Sequence, residues 1–383
     1  MTDFFKLLVI IFFSFITVVH AGPNIEARTA ILVDFHSDKV LYELEADYRI
    51  NPASMTKIMT TIVVFDLLDS EKISLDDKVT ISEKAWRMSQ AGYSSMFIMI
   101  NDEISIENLL RGIIIASGND ACVAIAEGVA GTEENFVSLM NEKAQEIGMN
   151  STNFANTSGI NNPDNYSTVR DVALMSKYLI KNYPYYYEYF KEKEFTWERT
   201  GGDPISQGNR NTLLYKNIGV DGIKTGHLAA EQYSLASSIK KKSRRLISVG
   251  SGFKTNSLRT SQSRKLLSWG LTNTVTFEVS KKNETLFDIN TWLGQKDTIS
   301  GYTKEDIYIT IDKKKLRHFN AYLEYTGPIK APVKKNKEIA HIKIYDKEEL
   351  LRSVPIYSLE KVKKINFLLS LLTSINYMIW GDA

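Results

Sequence analysis

The sequence predicts a mixed α/β (α+β) domain followed by a small all-β domain and a C-terminal amphipathic helix. Three observations carry this prediction. Helical patterns between residues 54 and 149 are enclosed by strand-like segments at 27–45 and 208–253, the order of an α/β or α+β unit. From about Thr274 the hydrophobic period falls to two, with Lys, Asn, Gly and Pro between the runs. Beyond Lys361 apolar and polar residues separate at helical spacing.

The elements follow in order. Residues 27–45 read as two strands joined by the polar turn His36–Lys39. Ile58–Leu68 is apolar almost all round, as a helix buried on most sides requires. Ser105–Ala116 and Asp120–Val129 read as helices flanking Ser117-Gly118-Asn119. Residues 132–149 open with capping residues and carry Phe136, Leu139, Met140, Ala144 and Ile147 at helical spacing. "GVDGIKTG", "QYSLASSI" and "RRLISVGSG" then read as strands, and 258–270 as a helix. "TVTFEV", "DIYITI", "HFNAYLEY" and "IAHIKIY" supply the all-β domain. The lysine runs at 240–242, 313–315 and 334–337 read as solvated turns.

The chain's 383 residues suffice for two domains and a sizeable core. With 47 basic and 45 acidic residues the net charge is +2, which gives no argument for nucleic acid as a partner. Lys6, the apolar run Leu7–Val19 and "VHA" ending at Ala21 form an export-signal pattern. That run is short for a bilayer span, which favours cleavage over a retained anchor. The single cysteine, Cys122, allows no internal disulfide and reads as a small helix-packing residue. His36, His227, His318 and His341 are scattered without ligand spacing, so neither a metal site nor a cofactor is expected.

The tail differs from all of this. Lys361, Lys363 and Lys364 lead a helical pattern with Asn366, Ser370, Thr373 and Ser374 on one stripe. Ile365, Leu368, Leu369, Leu372, Ile375, Met378 and Ile379 lie largely opposite, and Trp380 closes the pattern. Such a segment is made to lie in a membrane interface, with lysines attracted to anionic lipid. Its alternative is a helix docked on its own domain. The expected division is 1–21 signal, 22–272 catalytic domain, 273–358 β-rich domain and 359–383 membrane-surface helix.

Ser54 and Lys57, in "NPASMTKIMTT", share one face at the mouth of the apolar helix. A buried ammonium is costly and tends to lose its proton. The S-x-x-K pattern alone is weak, because it recurs at Ser237, Ser238, Ser251 and Ser358. Order and company separate Ser54 from these. Ser117-Gly118-Asn119 follows, then Lys224-Thr225-Gly226, completing the S-x-x-K, S-x-N, K-T-G set of penicillin-recognising serine enzymes. Each motif has the expected setting: helix start, loop between helices, and strand.

With "ASMTK", "SGNDACVAIAE" and "DGIKTGH", the chain resembles the low-molecular-mass penicillin-binding proteins, the D-alanyl-D-alanine carboxypeptidases. The resemblance extends to "NNPDNYSTVRDVALMS", "GNRNTLL", the β-domain and the tail. It implies a serine β-lactamase/transpeptidase-like catalytic domain at the periplasmic face of the cytoplasmic membrane. The implied substrate is a peptidoglycan stem pentapeptide ending in D-Ala-D-Ala, with β-lactams as inhibitors and a role in cell wall biogenesis and cell shape.

A serine hydroxyl needs a base, and Lys57 can be one if burial and a second ammonium, Lys224, bring its pKa down. The resemblance implies further roles: an oxyanion hole from the N–H groups of Ser54 and His227, and proton relay by Ser117. It also implies that Asn119 holds Lys57 and the substrate amide, that Lys224 and Thr225 (followed by Gly226) bind the terminal carboxylate, and that Arg259 stands near it. Arg210 in "GNRN" is a weaker candidate. A class A β-lactamase would need a downstream Glu in an E-x-x-L-N segment, which 150–190 lacks. A non-catalytic murein-binding scaffold would be expected to have lost Ser54, Lys57 or Lys224. A transpeptidase or endopeptidase on the same fold remains an open alternative.

Overall fold

The structure is a computed structural model that describes residues 22–381. The export signal expected over 1–21 lies outside the described residues. The chain begins with the hairpin β1 (Thr29–Asp34) and β2 (Val40–Leu44). Helix α1 (Lys57–Asp69) follows, then β3 (Lys78–Thr80), α2 (Glu83–Gln90), β4 (Glu103–Ser105) and α3 (Ile106–Arg111). Helices α4 (Asn119–Ala130), α5 (Glu133–Ile147) and α6 (Val169–Asn182) come next. The small ribbon β5 (Glu194–Trp197) and β6 (Ile205–Gly208) leads to β7 (Val220–Leu228), β8 (Gln232–Lys241), β9 (Arg244–Phe253) and α7 (Asn256–Asn273).

The main sheet has the order β2-β1-β9-β8-β7, antiparallel throughout. Strand alternation sends side chains into two cores. Ile31, Ile247 and Val249 join α1, α4, α5 and α6 on one face. Ala30, Leu32 and Leu246 meet Leu266 and Leu267 of α7 on the other. Helix α1 belongs inside because it has no polar face: Ile58 to Phe65 are all buried. Thr132 caps α5 by accepting from Asn135 N–H at 3.1 Å, and Gly148, at φ +88°, ends that helix.

The second domain contains β10 (Thr274–Ser280), β11 (Thr285–Trp292), β12 (Thr298–Tyr302) and β13 (Ile307–Asp312). It continues with β14 (Phe319–Glu324), β15 (Ile329–Lys330), β16 (Glu338–Asp346) and β17 (Glu349–Ser358). β10 pairs with β13, and the other six form one sheet over a core that includes Ile289, Ile299, Ile344 and Ile356. The lysines of all three runs are exposed, and the run at 313–315 also caps a helix. Lys313 Nζ donates to the carbonyls of Leu271 and Thr272 at 3.2 and 2.7 Å, satisfying the C-terminal end of α7.

The last element, α8 (Phe367–Trp380), packs through its polar stripe. Ser370 is buried, Thr373 and Ser374 are half-buried, and Tyr377 meets Trp292 edge-on at 5.0 Å. Leu368, Leu372, Met378 and Ile379 face outward and are exposed. The helix is thus docked on its own domain and still offers an apolar face. Among the described residues no helix is long and apolar enough to cross a membrane.

Asp34, fully buried, ties the two domains together. It accepts from the N–H groups of His36 and Ser37 at 3.1 Å, from Arg244 Nε at 3.1 Å and from the Thr276 hydroxyl of β10. Arg244 in turn donates to the Thr274 carbonyl at 2.6 Å. Removing one member of a buried pair strands the other, at a cost of about 3–5 kcal/mol. Asp34→Ala is therefore expected to lose stability of that order in urea unfolding. A loss within experimental error would show that Arg244 finds water instead.

Candidate active site

Ser54 does not sit within α1 itself. It occupies a 3₁₀ turn, Ala53–Thr56, immediately ahead of it. Asn51 steadies the turn by accepting from Ala53 N–H at 2.9 Å. Gly159 lies across the turn with φ +78°, and a Cβ there would be 1.8 Å from the Ala53 carbonyl oxygen. That approach admits only glycine.

Lys57 begins α1 and is buried, 1% exposed. Its Nζ lies 3.1 Å from Ser54 Oγ and donates to Asn119 Oδ1 and to the Ser158 carbonyl, each at 2.6 Å. A neutral amine has two N–H bonds and one lone pair. With both N–H groups taken by strong acceptors, the lone pair is left for the serine hydroxyl. Burial lowers the pKa of Lys57 to about 8, with the Arg210 charge acting the same way and Asp120 opposing it.

The S-x-N element follows a π-helical turn, Gly112–Ala116, with Ser117 in the left-handed region at φ +61°. Gly118 N–H donates to the Gly112 carbonyl at 2.9 Å, and Asn119 opens α4 with its N–H on the Ser94 carbonyl at 2.8 Å. The next residue, Asp120, is buried and accepts from Ser95 Oγ at 2.6 Å and from the N–H groups of Met96 and Phe97 at 2.9 Å. It pins the 94–98 loop to the same helix start.

Lys224, Thr225 and Gly226 lie on β7, the sheet edge against the nucleophile turn. A Cβ at Gly226 would be 2.3 Å from Ser234 Oγ and 3.1 Å from the Pro52 carbonyl, so a larger residue would push the strand away from Ser54. Lys224 is buried, and its pKa falls well below the ordinary lysine value through burial first, then repulsion from Lys57 and Arg210.

The cleft, about 400 Å³, is lined by Ser54, Ser117, Thr225, Gly226, His227 and Arg259 of the sequence-predicted set. Lys57, Asn119 and Lys224 are buried alongside it. All nine therefore come together. Arg259 is not a surface residue. It is buried, donates to Asn256 Oδ1 at 2.7 Å and lies 5.7 Å over the Tyr233 ring. Burial brings its pKa down to about 10.

Sequence reasoning gave too little weight to Arg210, which lines the cleft and donates to Ser94 Oγ at 2.6 Å. It missed Ser94, Thr212, Tyr233 and Asn256, which carry no motif. Asp120 had a signal, standing directly after the S-x-N triplet. The Ser158 carbonyl had none, since a backbone acceptor leaves no mark on residue type. This carbonyl, rather than a glutamate, is what the 150–190 segment offers Lys57.

An antiparallel sheet between helical layers, with a Ser–Lys pair at its β7 edge, defines the class of penicillin-recognising serine hydrolases. A family model described as D-alanyl-D-alanine carboxypeptidase, peptidase S11, matches residues 16–255, and one described as penicillin-binding protein 5, C-terminal domain, matches 275–364. The chain is 39% identical over 351 residues to D-alanyl-D-alanine carboxypeptidase DacC of Escherichia coli, covering 90% of this chain and 86% of that one. It is 38% identical over 323 residues to DacA of Haemophilus influenzae, covering 84% and 81%. The crystal structure of penicillin binding protein 5 from Haemophilus influenzae superposes with a TM-score of 0.82 at 36% identity, covering 90% of this chain and 99% of that one. The chain belongs to the peptidase S11 family of D-alanyl-D-alanine carboxypeptidases and is a serine-type hydrolase acting in the cell wall.

Proposed function

We propose that Ser54 is the nucleophile and Lys57 its base in removing the last D-alanine from peptidoglycan stem pentapeptides. The observation that carries this reading is the buried Lys57 Nζ, 3.1 Å from Ser54 Oγ with two further acceptors at 2.6 Å. Ser54 Oγ attacks the carbonyl of the penultimate D-alanine as its proton passes to Lys57. The N–H groups of Ser54 and His227 receive the oxyanion, a contribution of about 3 kcal/mol per donor in comparable sites. Ser117 passes a proton to the departing amine, which leaves as D-alanine. Water then attacks the ester on Ser54 and releases the shortened peptide. Asn119 holds Lys57 and the substrate amide, while Lys224, Thr225 and Arg259 receive the terminal carboxylate, with Arg210 beside them. A β-lactam, whose ring amide takes the place of the scissile bond, acylates the same serine.

That carboxylate also bears on the two buried lysines. An anion against Lys224 favours a proton there, so Lys57 is the member of the pair left neutral. In the free protein Lys57 is charged below about pH 8 and must lose that proton before it can act as a base. Acylation by benzylpenicillin is therefore expected to rise about tenfold per pH unit up to that region and then level off. A rate independent of pH between 5 and 8 would remove Lys57 as the titrating base.

Intact-mass spectrometry after benzylpenicillin, beside an assay for D-alanine released from a pentapeptide, tests the nucleophile. The wild type should gain a penicilloyl group and release D-alanine, and Ser54→Ala should do neither. An adduct on the Ser54→Ala chain would place the nucleophile elsewhere.

We further propose export and peripheral attachment at the periplasmic face of the cytoplasmic membrane through 361–380. The outward Leu368, Leu372, Met378 and Ile379 and the exposed Lys361, Lys363 and Lys364 support it. Leu372→Glu with Ile379→Glu should abolish co-sedimentation with phosphatidylglycerol vesicles and leave hydrolysis of a soluble pentapeptide unchanged. Undiminished co-sedimentation would reject α8 as the anchor.

A further inference from the structure

We propose that Glu133, at the start of α5 and outside the cleft, is a positioning residue for Lys57, acting through the Thr157-Ser158 segment. The inference rests on Lys57 being the base. Of the two oxygens that hold the Lys57 N–H groups, Asn119 Oδ1 stands on a helix, whereas the Ser158 carbonyl stands on irregular chain. Such a carbonyl is only as well placed as the segment that carries it.

That segment is held from three sides. Glu133 Oε1 accepts both from Thr157 N–H at 3.2 Å and from Thr157 Oγ1 at 2.8 Å. The Thr157 carbonyl accepts from Thr60 Oγ1 of α1 at 2.6 Å, one helical turn beyond Lys57. Asn156 Oδ1 accepts from Gly159 N–H at 2.7 Å and closes the bend. Thr157 and Ser158 are buried, so no water replaces a lost partner. The carboxylate is itself well placed. It lies in the first turn of α5, where the helix dipole favours negative charge, and its Oε2 pairs with Lys84 of α2 at 2.9 Å. Without Glu133, two donors on Thr157 lose their acceptor, and the Ser158 carbonyl is freed to turn from Lys57.

The consequence for pH has a definite sign. Lys57 faces Asp120 and Cys122 from α4, Arg210, and Lys224 from β7. Glu133 faces Lys84 from α2 and Cys122 from α4, with Glu134 beside it on its own helix. A carbonyl acceptor stabilises an ammonium more than a neutral amine. Its displacement lowers the Lys57 pKa further, so the acid limb of acylation moves to lower pH while the rate falls through misplacement.

The test uses the full chain and benzylpenicillin acylation across pH, with D-alanine release alongside. Glu133→Ala is expected to slow acylation about 10- to 100-fold, to lower kcat with KM unchanged, and to shift the acid limb downward. Glu133→Gln keeps an oxygen that can accept both Thr157 donors and should restore the wild-type rate and limb. Should Glu133→Ala fail to fold, Thr157→Val, which removes one donor, carries the test with a smaller shift in the same direction. A wild-type rate in the alanine variant would overturn the proposal. So would a glutamine variant as impaired as the alanine one, or an activity loss that merely follows the folded fraction with the limb unmoved. Lys57→Ala separates the two levels: if it acylates normally, the base assignment itself fails. If it is inactive while Glu133→Ala is normal, only the role of Glu133 falls.

Discussion

Two buried lysines in one small volume set the terms for the rest of the catalytic domain. Removing an ammonium from water costs several kcal/mol unless strong partners replace the water. Lys57 has its acceptors, yet none is a carboxylate. Asp120, the acidic group that acts on it from α4, has its oxygens occupied by Ser95 and the backbone of 96–98. The outcome is a depressed pKa, and an ammonium that gives up its proton far more readily than an exposed lysine is what makes Lys57 chemically useful.

Such an arrangement persists only on a scaffold too stiff to let water in or the lysines out. The sheet supplies the stiffness by burying both faces, one against α1, α4, α5 and α6 and the other against α7. Helix α1 contributes by being apolar all round: the side chain at its first position cannot swing to solvent, because every neighbouring direction is filled. Close approaches by Gly159 and Gly226 complete the enclosure, each at a distance that a Cβ would forbid.

Much of this was legible in the sequence, for reasons that differ between elements. Strand-like runs of small and apolar residues mark β7, β8 and β9, which are buried along most of their length, while period-two runs mark β10, β13, β14 and β16. β17 was obscured by Pro355 and by the polar residues of its exposed face. The site motifs were legible because they are side chains at fixed spacing. Arg259 was marked only by the family resemblance, since helix α7 has no strongly apolar stripe to mark its inner face. Ser158 was out of reach, because its contribution is a carbonyl that tertiary folding alone brings to Lys57. The tail was read as amphipathic, but a sequence could not show that its polar stripe, and not its apolar one, would meet the protein.

The surplus of positive charge in the cleft finally bears on which peptides it accepts. Lys224, Arg210 and Arg259 stand within reach of one another's fields, and burial lowers the pKa of each. Arg210 and Arg259 both disfavour a proton on Lys224, and a carboxylate bound beside it would favour one. Under the roles proposed above, a peptide ending in a free carboxylate gains more here than its hydrogen bonds alone supply, while an internal peptide bond brings no such anion. Under the same roles, that anion would hold a proton on Lys224 and so leave Lys57 neutral beside Ser54. Under the proposed roles, recognition of the chain end and activation of the nucleophile are one electrostatic event, and the preference for trimming termini follows from the charges that make the serine reactive.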